Sequence, residues 1–286
     1  ILTGALESIW KQTYRPIEVI VVDDGSTDDT QDELKQWSAR KTDTHFAVRY
    51  IYQTNQGANA ARNMGIMEAS GEFVAFLDSD DRWLPSKLDK QLLAFDESPE
   101  IGGVYCGLRY IDLETGKLAP LENKPYPKGH LLKELLVSDV TAGTPCYVIR
   151  KDCFRQVGKF DVALPARQDW DMWIRLATKY QISCIPEELV YAGTHSGDRI
   201  RTNPENEIEA NWLVHRKYES LRAKHGIRIQ LKARATLFRR LGRLYFHRNI
   251  SKRKAIVMHI KALSIWPFSF DSYAAIVGMV LPRRIR

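Results

Sequence analysis

The stretch Glu18-Val19-Ile20-Val21-Val22-Asp23, running directly into Asp24-Gly25-Ser26, decides the fold. Four consecutive apolar residues between two acids are too few for a globular helix. They read as a strand buried on both faces, and the Asp-Asp-Gly-Ser that ends it reads as a tight turn. The pattern returns at Glu72–Leu77 (EFVAFL), which runs into Asp78-Ser79-Asp80-Asp81. Between them stand a polar helix over Asp28–Arg40 carrying Leu34 and Trp37, a strand over Val48–Tyr52, and a small-residue helix over Ala58–Ala69 that stops at Gly71. Beyond them follow a helix over Pro85–Asp96, with Pro in its first turn, and strands over Gly103–Ile111 and Pro145–Arg150. An amphipathic helix over Gln168–Tyr180 and a short strand over Ile182–Ile185 complete the series. Strands alternate with helices and the strands are continuously apolar. That predicts an α/β class with a mostly parallel sheet covered by helices on both faces.

Strand signals cease after about residue 204. Glu205–Lys224, Gln230–His247, Lys252–Ile265 and Ser272–Leu281 read as helices, so the expected organisation is a catalytic domain over 1–203 and a helical C-terminal extension over 204–286. With 44% hydrophobic and 27% charged residues, the 286-residue chain has ordinary globular composition, which excludes disorder as its main theme. No apolar run approaches the length of a membrane-spanning helix. Cys106, Cys146, Cys153 and Cys184 stand far apart, with neither a CxxC pair nor zinc spacing, and read as reduced, mostly buried thiols in a cytoplasmic protein. The net charge of +7 conceals an asymmetry: residues 226–286 hold fourteen Lys and Arg against one acid, Asp271. Such a tail suits nucleic-acid phosphate, anionic lipid or another acidic ligand.

The two acidic clusters, Asp23-Asp24 and Asp78-Ser79-Asp80-Asp81, fall where strands end. In open parallel sheets ligands bind beyond the carboxyl ends of the strands. Carboxylates gathered there repel one another unless a cation is bound. Hard divalent cations take one or two carboxylates together with phosphate oxygens, so the crevice suits a metal-chelated diphosphate. Either cluster alone is equally well read as turn and cap chemistry.

On these residues the chain resembles the inverting family-two glycosyltransferases of bacteria, with the nucleotide-diphospho-sugar transferase (GT-A) fold. The resemblance runs from about Leu2 to Thr202. Its fragments, in order, are Ala5-Leu6-Glu7-Ser8-Ile9 with Gln12-Thr13-Tyr14; Val21-Val22-Asp23-Asp24-Gly25-Ser26-Thr27-Asp28; Asn55-Gln56-Gly57; and Ala61-Arg62-Asn63-Met64-Gly65. They continue with Phe76-Leu77-Asp78-Ser79-Asp80-Asp81, Trp83-Leu84-Pro85, Gly158-Lys159-Phe160-Asp161, Gln168-Asp169-Trp170-Asp171 and His195. Each fragment is weak alone; their order and spacing are specific.

The resemblance implies a role for each position. Asp24 contacts the nucleotide base, with Asp23 beside it. Asp78-Ser79-Asp80 is the DXD motif: Asp80 binds a divalent metal, Mn²⁺ or Mg²⁺, and Asp78 reaches the ribose or the metal through water. His195 supplies a further metal or diphosphate contact, and Arg62 either meets the diphosphate or forms a helix-face salt bridge. Asp169 is the general base that takes the proton of the acceptor hydroxyl, with Asp171 as its rival. Trp170 and Trp173 form an acceptor platform or pack in the core. Two departures stand out. The chain begins just after the strand with which the family opens, so about 15 or more further residues are expected before it. Gln168 and Lys159 replace the family's Glu and Gly.

The expected partners are therefore a nucleotide-sugar donor, of the UDP class, and a glycan or lipid-linked acceptor. The expected location is the cytoplasm, at the inner face of the membrane. On Gln230–His247, Leu231, Ala235, Phe238, Leu241 and Tyr245 form one stripe with the basic residues largely outside it, and Trp266, Phe268 and Phe270 follow. That suits an anionic membrane surface, or alternatively a helical cap with solvated charges. Three other readings stay open: a nucleotidyltransferase, whose Gly-rich, Lys-containing phosphate loop is not present; an inactive transferase-like protein; and a polyanion or nucleic-acid binder acting through the tail. No recognisable nucleic-acid module supports the last.

Overall fold

The computed structural model describes residues 1–121, 125–194 and 203–280. The chain divides into two compact units. The first comprises residues 1–131, 140–162 and 169–197; the second comprises 132–139, 163–168 and 198–286.

In the first unit, helix α1 (Leu2–Trp10) leads into strand β1 (Ile17–Asp24), helix α2 (Thr30–Ser38), strand β2 (Phe46–Gln53) and helix α3 (Ala58–Glu68). β1 and β2 pair in parallel, as expected for strands joined by a helix. A second sheet holds β3 (Phe73–Ala75), β4 (Arg82–Trp83), β5 (Ile101–Asp112), β6 (Tyr147–Arg150) and β7 (Gln181–Thr194), in the order β3-β6-β5-β7-β4. Between β4 and β5 lie helix α4 (Lys87–Leu93) and a 3-10 turn; α6 (Cys153–Val157) and α7 (Gln168–Ala177) separate β6 from β7.

This sheet is mixed, not mostly parallel. Only β5 and β7 run parallel in it, while β6 lies antiparallel to both β3 and β5, and β4 antiparallel to β7. The short strands β3 and β6 carry apolar runs that look alike in either direction, and β4 is only Arg82-Trp83, so strand polarity is not legible from patterning. β7 is also much longer than the expected Ile182–Ile185. Pro186 and Glu187 read as a break, but the ladder with β5 slips there, pairing Cys106 with Ile185 and Gly107 with Glu188, and then resumes to Thr194. A bulge accommodates a proline that a regular ladder would not.

The core joins both sheets. Val19, Leu34 and Trp37 belong to the same buried cluster as Trp83, Leu88, Phe95, Val104, Val148 and Val190. α1 is tied to the segment after the second acidic cluster by two buried polar side chains. The Gln12 amide donates to Leu84 O at 2.8 Å and accepts from Leu88 N, and Ser8 Oγ accepts from Trp83 N.

The second unit is helical: α5 (Leu132–Val137), α8 (Pro204–Lys217), α9 (Glu219–Lys224), α10 (Ile227–His247), α11 (Lys252–Ile265) and α12 (Phe270–Val280). Asn203 caps α8 through its side chain, and Ser251 caps α11. α10 is the hub and packs on α5, α8, α9 and α11. Arg222 is buried and donates from Nε to Leu136 O at 2.7 Å; burial lowers its pKa to about 10. Among the described residues no helix is long and apolar enough to cross a membrane.

Candidate active site

β1 ends in two carboxylates with different environments. Asp23 is buried; its Oδ2 accepts from the Tyr50 hydroxyl at 2.6 Å and its Oδ1 from Ser26 N at 2.8 Å. Burial alone would raise the Asp23 pKa, but these hydrogen bonds outweigh it and hold the carboxyl below its ordinary value. The same contact pushes Tyr50 up to about 12. Asp24 Oδ1 accepts from Gln53 Nε2 at 2.7 Å and Gln56 N at 2.8 Å, and Oδ2 from Gly57 N at 2.8 Å. It thus organises the loop that starts α3, where Gly57 holds a φ of 88° that other residues rarely adopt.

α3 carries that order to the second acidic cluster. Arg62 Nη2 meets Asp78 Oδ1 at 2.7 Å, an ion pair reaching across to the strand-end loop and not along the helix face. Arg62 Nη1 is buried without a hydrogen-bond partner. The next residue, Asn63, exchanges two hydrogen bonds with Phe160, of 2.9 and 2.8 Å, and Asn59, a turn earlier, donates to Asp161 O at 3.1 Å. These contacts place Gly158-Lys159-Phe160-Asp161 against α3, with the Phe160 ring 5.9 Å from the Arg62 guanidinium.

Asp80 is half-buried in the loop after β3. Its carbonyl passes so close to Gly193 on β7 that a Cβ there would collide with it. Asp81 is buried and accepts from Gly193 N at 3.1 Å, so it pins the loop to β7 in addition to closing the turn with Asp78 O. Gly193 went unnoticed in the sequence; its only signal is a glycine inside the run Val190-Tyr191-Ala192-Gly193-Thr194.

Asp169 opens α7. Its Oδ1 accepts from Trp170 N at 2.8 Å, and its Oδ2 lies 3.9 Å from where a Cβ on Gly143 would stand. Asp171, two residues on, is fully buried and bound to Arg175 through Nε at 3.0 Å and Nη2 at 2.9 Å. Arg175 Nη1 in turn donates to Val157 O and Gly158 O. Asp171 is therefore committed to holding the preceding loop. Trp173 stacks on Tyr147 with ring centroids 3.5 Å apart and is fully buried; Trp170 is buried as well, so neither ring presents a platform.

The structure thus brings Arg62 and Asp78 into contact. It ties Asp24 to their helix and fixes Asp80 against β7. Asp169 sits on a different element, and His195 lies outside the described residues. Among the described residues no three side chains of metal-ligating type converge. Asp80 and Asp78 carry carboxylate oxygens in the loop after β3, and Asp78 Oδ1 is paired with Arg62. That set fits a hard cation completed by substrate phosphate, which needs only one or two protein carboxylates.

The sequence profile described as "Glycosyl transferase family 2" matches residues 1–158. An uncharacterized glycosyltransferase of Rickettsia typhi is 31% identical over 217 residues, 73% of this chain and 65% of the relative. A putative teichuronic acid biosynthesis glycosyltransferase of Bacillus subtilis, TuaG, is 31% identical over 77% of this chain and 84% of its own length. The chain spans somewhat less than two thirds of the Rickettsia typhi relative. Among solved structures, S. aureus TarS in complex with UDP-GlcNAc superposes with a TM-score of 0.68 at 18% identity, covering 97% of this chain and 85% of that one. The mannosyltransferase PcManGT from Pyrobaculum calidifontis, in complex with GDP-Man and Mn²⁺, gives 0.58 at 18% identity over 97% and 74%. The fold is the α/β GT-A fold with added C-terminal helices. Matched by its profile over more than half its length and by relatives above 30% identity, the chain belongs to glycosyl transferase family 2.

Proposed function

We propose that the chain transfers a sugar from a nucleotide-diphospho-sugar, of the UDP class, to a hydroxyl of a bacterial surface glycan or its lipid carrier, with inversion at the anomeric carbon. The observation that carries this reading is Arg62. Its guanidinium gives one nitrogen to Asp78 and keeps Nη1 unpartnered beside the carboxylates at the end of β3. A cationic donor left over next to an acidic strand end suits a phosphate that arrives with a divalent cation. Solved neighbours hold UDP-GlcNAc and GDP-Man, which supports the donor class, and TuaG is named for teichuronic acid biosynthesis, which supports the acceptor class.

In this reading Asp80 would hold the metal, Mn²⁺ or Mg²⁺, with His195 as a further candidate ligand and Asp78 reaching the ribose or the metal through water. When bound, the metal neutralises charge on the departing diphosphate. Asp23 and Asp24 shape the nucleotide pocket. Because both Asp24 oxygens already hold the loop 53–57, its part is to order that pocket's backbone. Asp169 Oδ1 is held by its own helix, which leaves Oδ2 to take the acceptor proton. The acceptor oxygen bonds to the anomeric carbon as the bond from that carbon to the diphosphate oxygen breaks. Arg62 stabilises the negative charge that develops there. The catalytic region is residues 1–203, and the basic extension, 204–286, keeps the enzyme at the cytoplasmic face of an anionic membrane, where a lipid-linked acceptor resides.

Titration calorimetry with UDP, GDP and dTDP, each with and without Mn²⁺, tests the donor site. Metal-dependent binding of one nucleotide is expected. A folded protein that binds none of them contradicts the proposal.

A further inference from the structure

We infer that the membrane-contacting surface is the outer face of α12 together with the turn before it, and not the basic helix α10, and that its occupant is the headgroup–acyl boundary of an anionic bilayer. The inference rests on the membrane reading of the basic extension and says which surface carries it.

The middle of the apolar stripe of α10 is already spent, with only Leu231 near its start exposed. Ala235, Phe238 and Leu241 are buried within the helical unit, where α10 packs on its neighbours. α12 is arranged differently. It packs on α11, burying Ser272 and Met279, and leaves Phe270, Tyr273, Val277 and Val280 outside. The spacing i, i+3, i+7, i+10 puts these four on one face. Phe270 is 79% exposed, Val280 61% and Val277 53%, and Phe268 in the preceding turn is 74% exposed. A helix facing water carries polar residues on that side. Here the one charged residue of α12, Asp271, is paired with Arg239, and with Arg243 at 3.3 Å.

Charge selects the occupant. The face is uncharged, but exposed Lys252, Arg253, Lys254 and Lys261 lie on the adjoining α11, in a segment with fourteen bases and one acid. A second copy of this chain would bring the same strong positive charge against it. An anionic lipid surface neutralises that charge and accepts the aromatic and aliphatic side chains beneath the headgroups. Eleven residues are too few to span a bilayer, so α12 lies in its plane. A tyrosine at the edge of the apolar face suits the interface.

The test is flotation of the full chain with phosphatidylcholine vesicles, with and without phosphatidylglycerol. The parent is expected to float only with the anionic vesicles. The double substitution Phe270→Ser and Val277→Ser is expected to weaken that partition about tenfold or more, with helicity unchanged by circular dichroism. In a separate variant, Phe270→Trp, emission is expected to shift blue on vesicles and to be quenched by lipids brominated in the acyl chain. If the parent floats with anionic vesicles and the double variant floats equally well, the assignment to α12 is overturned while the membrane reading stands. If the parent ignores anionic vesicles, both are wrong. A vesicle-free dimer that the double variant abolishes identifies the face as a protein interface and also overturns the inference.

Discussion

Replacing Lys87 with methionine should stabilise the protein at neutral pH, and by an amount that depends on pH. Lys87 lies on α4 with its side chain fully buried, and its Nζ has no hydrogen-bond partner. Burial lowers its pKa from 10.5 to about 8, against a small opposing pull from Cys106 and Cys146. At roughly 1.36 kcal/mol per pH unit, the drop corresponds to a penalty of about 3 kcal/mol for holding the ammonium in the core at pH 7. The Trp83 ring, 4.1 Å away, returns part of it. A desolvated cation–π contact is worth up to about 2 kcal/mol, which leaves a net gain of about 1–2 kcal/mol for methionine, a side chain of similar volume. In a chain of this size that is a rise of several degrees, at about 2–4 °C per kcal/mol. The folded pKa lies below the unfolded one, so between pH 8 and 10.5 the unfolded chain binds the proton that the folded chain has released. Parent stability therefore rises with pH in that window relative to the variant, and the difference shrinks. Urea unfolding of both proteins at pH 7, 8.5 and 10 reads this directly. A methionine variant several kcal/mol less stable than the parent, by the same margin at every pH, would refute this and show that the Lys87 side chain contributes by packing and not through its charge.

Three further outcomes follow from the geometry. Asp171→Ala takes the carboxylate from the half-buried Arg175 guanidinium, leaving it only Val157 O and Gly158 O, and should cost about 1–3 kcal/mol of stability in thermal or urea unfolding, which separates it from Asp169 as a structural acid. Gly193→Ala forces the Asp80 carbonyl away from β7; metal-dependent nucleotide affinity should fall while circular dichroism stays unchanged. His215 has its pKa lowered to about 4, by burial first and then by Arg222 and Arg234. The unfolded chain is thus protonated before the folded one, and stability should fall from pH 6.5 toward 4, by about 1–2 kcal/mol between pH 7 and 5, with His215→Gln losing less over the same range.

Strand ends were readable because apolar runs stop abruptly at acids. That is why the loops of Asp23-Asp24 and Asp78–Asp81 were found without a structure. What patterning does not carry is which acid is consumed by structure. Asp169 and Asp171 stand two apart on one helix, so they point to different sides, and only the fold shows that Asp171 is the buried one, bound to Arg175. Asp24 has both oxygens engaged by Gln53, Gln56 and Gly57, contacts that depend on β2 lying beside β1. Lys87 has the polarity of a surface residue and is fully buried, because α4 packs that side against the sheet core. In the tail the apolar stripe of α10 was legible as a stripe. Its partner helices are not, so the stripe reads as available although its central residues Ala235, Phe238 and Leu241 are buried.

The proposed function assigns donor binding and proton abstraction to different acids, Asp80 and Asp169. The most direct measurement compares Mn²⁺-dependent nucleotide affinity and sugar transfer in Asp80→Ala and Asp169→Asn. Asp80→Ala is expected to lose metal-dependent affinity, and Asp169→Asn to bind the nucleotide as the parent does while turnover drops by about 10²–10⁴. Turnover in Asp169→Asn close to the parent's, or metal-dependent binding undiminished in Asp80→Ala, would contradict it.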